Sequence, residues 1–194
     1  MIKLNTFDIL VNSKFYNIIN KLIKYKSILS IYNGRYFGIE TNDNRFETQS
    51  ENTFLCYVSK RRGFKKHINK KYIKREYNFW KVITAEANGC ANCSFGNMFI
   101  GNKTEVHSSS YISFKINNEF EAKSLLSYLK CKLPRFILIL RKVSQHINGN
   151  VCKWIPLPPL NRIWSNEEIY KYYNLSDEDI KLIKETKIIG YKED

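Results

Sequence analysis

At 194 residues, with 43% hydrophobic and 14% aromatic content, the chain has enough apolar material to bury one sizeable core, which argues against disorder and for a single domain. Its 32 Lys and Arg outnumber 18 Asp and Glu, giving a formal charge of +14. Such an excess repels itself in a compact fold and points to a polyanionic partner, with the Lys-, Asn- and Ile-rich bias of an AT-rich genome as the alternative source. No apolar run approaches the roughly 20 residues of a membrane helix, and Lys3 before Ile9-Leu10-Val11 does not have a secretory signal's layout. The expectation is an intracellular protein without a membrane partner, its five scattered cysteines reduced.

In chain order, Phe15, Ile18, Ile19 and Leu22 recur at helical spacing between Asn12 and Tyr25, and Asn12 or Ser13 is placed to cap that helix. Tyr36 to Ile39 reads as a short extended piece, Thr41 to Asn52 as a polar loop, and Thr53 to Val58 as a strand. Lys60 to Lys81 is the most basic stretch of the chain, with ten Lys and Arg against the single acid Glu76. Phe79 to Ile83 and Tyr111 to Ile116 read as strands, separated by a glycine-bearing loop from Asn88 to Lys103.

Asn117 or Asn118 can cap a helix carrying Ala122, Leu125, Leu126 and Leu129 on one face and ending near Lys130. Pro134 then opens a second helix, whose Phe136 to Leu140 run is apolar nearly all round, as befits a central buried helix. Val151 to Ile155 and the prolines Pro156, Pro158 and Pro159 predict an extended crossing. Ser165 with Glu168, and Ser176 with Asp179, have the spacing of capping boxes for two helices in an acidic tail, Ser165 to Asp194. The fold class expected is therefore α/β (α+β): a mixed, twisted sheet of short strands packed on the Pro134 helix, with a helical C-terminal tail.

The stretch SLLSYLKCKLPRFILILRKVSQHINGNVCKWIPLPPL, followed by WSNEEIYKYYNLSDEDIKLI, resembles the C-terminal target-recognition domain of adenine-N6 DNA methyltransferases and fused restriction-modification enzymes. The likeness rests on Tyr128-Leu129-Lys130, on Arg141-Lys142 with Gln145, on Trp154 with Pro156, and on Trp164 before Ile169, Tyr170, Tyr172 and Leu175. Looser matches at Tyr36 to Asn42, Lys71 to Ile83 and Ser108 to Ile112 extend it over most of the chain. The resemblance implies sequence-specific binding of double-stranded DNA beside a methyltransferase or nuclease catalytic subunit, in the cytoplasm of a prokaryote or in a viral setting. The family's Gly-rich cofactor loop and its Asn-Pro-Pro-aromatic motif are both missing: Gly89, Gly96 and Gly101 are wrongly spaced, and Leu157 stands before Pro158-Pro159. S-adenosylmethionine is thus implied for the missing partner and no cofactor for this chain, which is not expected to be catalytic alone.

Such a domain grips the duplex flanking a flipped adenine. Lys60, Arg61, Arg62, Lys65, Lys66, Lys70, Lys71 and Arg75 are the expected phosphate contacts, and among the arginines, Arg35, Arg61, Arg62 and Arg75 suit bidentate contact with phosphate or guanine. A solvated surface charge is the alternative for each. Asn92, Asn97, Ser108, Ser109 and Ser110 offer short donors and acceptors to bases, or simply make turns. Arg141, Lys142 and Gln145 match the family pattern, where a structural role competes with DNA contact.

Cys90 and Cys93 have the spacing of half a zinc site, without a second pair unless folding recruits His107 or Cys56; two reduced loop cysteines are the preferred reading, and no metal is expected. Glu119, Glu121 and Lys123 mimic part of a nuclease site but fit a helix start better. Trp80, Trp154 and Trp164 are expected in the core rather than stacked on bases. Two rivals remain open: a nucleic-acid-binding protein without sequence preference, and a small nuclease or methyltransferase fragment with activity.

Overall fold

The computed structural model describes residues 12–25, 31–59, 63–91 and 93–191. The first helix, α1 (Tyr16–Leu22), follows a short 3-10 turn (Ser13–Phe15) and buries Phe15, Ile18, Ile19 and Leu22, the apolar stripe expected of it. Asn12 caps the turn by accepting a hydrogen bond from the Lys14 amide.

The short strands form two sheets rather than the single one expected. The first is antiparallel throughout, in the order β1 (Ile31–Tyr32), β8 (Tyr111–Ile116), β5 (Trp80–Ala85), β6 (Met98–Gly101). The second runs β2 (Phe46–Glu47), β4 (Lys65–Asn69), β3 (Thr53–Tyr57), β7 (Glu105–His107), with β3 and β7 parallel. Strand β5 is covered on both faces, which is why its burial does not alternate. Val82 belongs to the core under the helices, whereas Ile83, one residue on, packs with Tyr57 of the second sheet and with Tyr111. Gly101 sits where a β-carbon would come within 2.7 Å of the Ile83 Cδ1, so a side chain there would have to displace the end of Ile83.

Helix α2 (Glu119–Lys130) covers the other face of the first sheet, packing on β5, β6 and β8, and α3 (Lys132–Arg141) packs against α2 in the same apolar core. Asn118 caps α2 through the Glu121 amide, with Glu119 and Glu121 in the first turn as the helix dipole favours. In α3 every residue from Lys132 to Leu138 is buried, Pro134 stands in the first turn, and Phe136 meets Phe15 edge-on at 5.1 Å, so this is the central helix. Both serine capping boxes form, Ser165 with Glu168 on α5 (Asn166–Tyr172) and Ser176 with Asp179 on α6 (Asp177–Glu185). An ion pair from Lys21 to Asp179 ties α1 to α6.

Four local expectations fail: the loops expected over Thr41 to Asn52 and Asn88 to Lys103 contain the short strands β2 and β6, and two further segments differ. Tyr36 to Ile39 is a turn, with Gly38 at φ +69°, although Phe37 and Ile39 are buried as a strand's would be. Gly149–Cys152 forms a single helical turn, α4, where an extended segment was expected: the Asn148 side chain accepts from the Val151 amide, and the prolines begin one turn too late to prevent it. Among the described residues, no helix is long and apolar enough to cross a membrane.

Candidate nucleic-acid interface

Strand β4 and the 3-10 turn after it (Lys70–Tyr72) carry the basic segment. Each cation there lies over an aromatic ring: Lys65 over Tyr57, Lys66 over Phe46, Lys70 over Phe54, Lys71 over Tyr72 and Arg75 over Tyr36, at 5.0–5.9 Å from the ring centres. Their aliphatic stems cover apolar surface of the second sheet while the charged heads reach solvent. Among the described residues, none of Lys65, Lys66, Lys70, Lys71, Lys74 and Arg75 pairs with a carboxylate. Elsewhere cations do find partners: Arg45 holds Asp43, whose pKa its guanidinium lowers to about 2, and Lys115 holds Glu76 at 2.7 Å. Arg35 is exposed and meets Glu40 at 3.4 Å, a contact weak enough in water to exchange for a phosphate. Lys60, Arg61, Arg62 and Asn92 lie outside the described residues.

Where β3 hands over to β4, the two sheets flank an open cleft of about 660 Å³. Phe64, Phe99 and Tyr111 give it aromatic walls, and Lys65 follows Phe64 directly in the chain. Its polar side chains are the Asn88 and Asn97 amides, the hydroxyls of Thr41, Ser59, Ser109 and Ser110, and one carboxylate, Glu86. Thr41 Oγ1 bonds both Ser109 Oγ (3.2 Å) and Ser110 Oγ (2.6 Å), so these hydroxyls form a mutually oriented set. The backbone holds the wall in place, the Ser109 amide donating to Ile39 and the Glu86 amide to Ser110. A β-carbon on Gly34 would approach the Ser109 carbonyl to 2.3 Å, so the turn bearing Arg35 packs against this wall only because residue 34 is glycine. Asn97 is exposed, and its amide makes no hydrogen bond among the described residues.

Three of the expected DNA contacts are structural instead. Ser108 is fully buried, its hydroxyl donating to the Val58 carbonyl at 2.8 Å, which fixes the corner between β7 and β8. Lys142 is 3% exposed, and its ammonium donates to the carbonyls of Asn88 (2.8 Å), Cys90 (3.0 Å) and Cys93 (2.7 Å). Burial lowers its pKa, against the opposing pull of the two cysteine sulfurs. Arg141 is likewise buried, stacked 4.3 Å over Trp154 with Nε on the Asn150 carbonyl. The physical reason is shared: the C-terminus of α3 meets two loops rich in inward carbonyls, and the paired cations satisfy them. Gln145, three residues on, is exposed, and only its carbonyl is engaged, by the Asn88 amide.

Cys90 and Cys93 bring their sulfurs to 3.3 Å, but among the described residues no third His, Cys, Asp or Glu joins them as a metal group. His107 is fully buried between Ser113 and the Ser108 carbonyl, and burial lowers its pKa to about 4. Glu119 pairs with Lys123 at 2.7 Å and Glu121 bonds the Asn117 amide group, as a helix start requires. Trp154 and Trp164 are buried and Trp80 is half-buried.

No protein-family model matches the chain, and no curated protein matches it.

Sequence reasoning missed Thr41, Phe64, Glu86, Asn88 and Phe99 as cleft residues. They come from four separate segments spanning residues 41 to 99: the turn before β2, the residue before β4, the stretch after β5, and β6, which pairs with β5. Glu86 alone left a trace, as an isolated acid at the end of a strand in a basic chain.

Proposed function

We propose that this chain binds double-stranded DNA at a particular sequence, serving as the target-recognition domain or subunit of an adenine-N6 methyltransferase or restriction-modification system. The observation that carries the reading is the row of six cations from Lys65 to Arg75, mounted on a packed sheet, with no carboxylate partner among the described residues. A compact protein that leaves so many like charges uncompensated on one strand and turn is arranged for a polyanion. The resemblance of ordered motifs across most of the sequence supplies the narrower choice of system.

In this reading Lys65, Lys66, Lys70, Lys71 and Arg75 contact phosphates and set the register, with Lys60, Arg61, Arg62 and Arg35 as further cations. The exposed amides of Asn97 and Gln145 have the donor-acceptor pair that matches the adenine edge in the major groove, and Ser109 and Ser110 offer shorter contacts. Ser108, Arg141 and Lys142 are left out. Catalysis and S-adenosylmethionine belong to a separate methyltransferase or nuclease subunit.

Selection from a randomised duplex library tests this. Enrichment of one short site is the expected result, whereas equal affinity for all duplexes with a steep salt dependence overturns sequence specificity. Nicking or methyl transfer by the pure chain with magnesium and S-adenosylmethionine would overturn the assignment of catalysis to a partner.

A further inference from the structure

The residues Asn88 to Cys90 and Cys93 are held with more care than a connection needs. The Lys142 ammonium gathers the carbonyls of Asn88, Cys90 and Cys93, the Cys93 amide donates to the Cys90 carbonyl at 3.1 Å, and the Asn88 side chain donates to the Ser94 carbonyl. Cys93 also forms a bridge with Ile189 of the tail. The result is two thiols whose sulfurs lie 3.3 Å apart, with the Cys90 amide directed at Cys93 Sγ, also at 3.3 Å. Cys90 is exposed and Cys93 is buried.

We propose that Cys90 and Cys93 form a thiol-modification site, a dithiol with Cys90 as its exposed member, that a low-molecular-weight disulfide such as oxidised glutathione converts to an internal disulfide. In the first step the Cys90 thiolate attacks one sulfur of the small disulfide, forming a mixed disulfide and expelling one small thiolate, which takes up a proton. In the second, the Cys93 thiol gives its proton to solvent and attacks the Cys90 sulfur, so that the second small thiol leaves. The two protein thiols are oxidised by two electrons and the small disulfide is reduced to two thiols. The remaining closure runs from 3.3 Å to the roughly 2.05 Å of an S–S bond.

Two features make the pair selective. Gly89 has φ +53°, and a β-carbon there would stand 2.4 Å from Cys93 Sγ, so glycine leaves the space the sulfur occupies. The other three cysteines, Cys56, Cys131 and Cys152, are buried, and burial pushes their thiols up, to about 12 for Cys131 and Cys152, which leaves them without reactive thiolate at neutral pH.

The test uses the full chain, folded at neutral pH, in glutathione buffers of increasing oxidised fraction, read by alkylation and intact mass. Two of the five thiols should be lost, the mass should fall by two hydrogen atoms, the link should map to Cys90–Cys93, and dithiothreitol should reverse it. The C93S variant should instead retain one glutathione on Cys90, and G89A should accumulate that mixed species because its second step is obstructed. A wild-type chain that keeps all five thiols, that stops at a glutathione adduct, or that loses Cys56, Cys131 or Cys152 as readily would overturn the proposal. C90S with its circular dichroism unchanged and no uptake of glutathione serves as the folding control; uptake by that variant would also overturn it.

Discussion

A lysine ammonium leaves water at tolerable cost only when its three N–H groups find acceptors, and Lys142 meets that condition with three backbone carbonyls. Lys81 does the same with Tyr77, Asn102 and Glu105, and burial lowers its pKa to about 7. Two charges that composition credits to a DNA face are therefore internal braces. The Lys142→Met variant leaves three carbonyls without their donor, the Cys93 one buried, so its unfolding free energy should fall by about 1–3 kcal/mol in urea titration, while the folded variant keeps its DNA affinity. Weakened DNA binding at unchanged stability would return Lys142 to the interface.

His107 supplies a second prediction at this scale. Nδ1 donates to the Ser108 carbonyl, so Nε2 accepts from the Ser113 hydroxyl and the ring is neutral. Its folded pKa of about 4 lies below the ordinary value of 6.5, so between those limits the unfolded chain binds a proton that the native state refuses. The stability this contributes is fully present above 6.5 and is lost as pH falls towards 4, to the extent of about 3 kcal/mol. The His107 ring resonances in an NMR titration should stay neutral until near pH 4; a midpoint near 6.5 would refute the burial argument.

At the scale of elements, what was legible in the sequence is what local physics determines. The caps at Asn12, Asn118, Ser165 and Ser176, the apolar stripe of α1, the all-apolar α3 and the strands β3, β5 and β8 follow from side-chain period and orphan amide groups. Strands β1, β2, β6 and β7 escaped because two to four residues are too few to show a period, and β4 because its residues read first as charge; their loss hid the division into two sheets. The same limit applies to the site. Charge density marks Lys65 to Arg75 in any reading, but the cleft is assembled from distant segments, and whether Arg141 and Lys142 face solvent or carbonyls depends on loops far along the chain. Capping offers a graded test. Removing a serine cap costs about 1 kcal/mol, so Ser165→Ala should lower stability by that amount. Ser176→Ala should cost more, because its box partner Asp179 is buried and also anchors Lys21 of α1. Equal losses in denaturant titration would show that the Lys21–Asp179 pair is indifferent to the cap.

For the whole molecule, the net charge of +14 is unevenly spread. The two tail helices open with Glu167, Glu168, Asp177, Glu178 and Asp179, while the lysines of β4 and its turn form no ion pair with a carboxylate among the described residues. A folded protein gains nothing from such crowding, since like charges on one strand and turn raise the energy of the compact state, so the cluster should be neutral or costly to stability and useful only to a partner. Replacing Lys65, Lys66, Lys70 and Lys71 with Gln should therefore leave the thermal midpoint unchanged or raise it. The same variant should weaken duplex binding and flatten its dependence on salt, by about 0.9 in the slope of log K against log salt for every phosphate contact removed. Replacing Lys171, Lys184 and Lys187 with Gln provides the comparison, because it removes nearly as much charge from the acidic tail region and should leave the slope as it was. Fluorescence anisotropy across a salt series distinguishes the two outcomes. If both variants flatten the slope equally, attraction depends on net charge alone and the Lys65 to Arg75 row is not the surface that meets DNA.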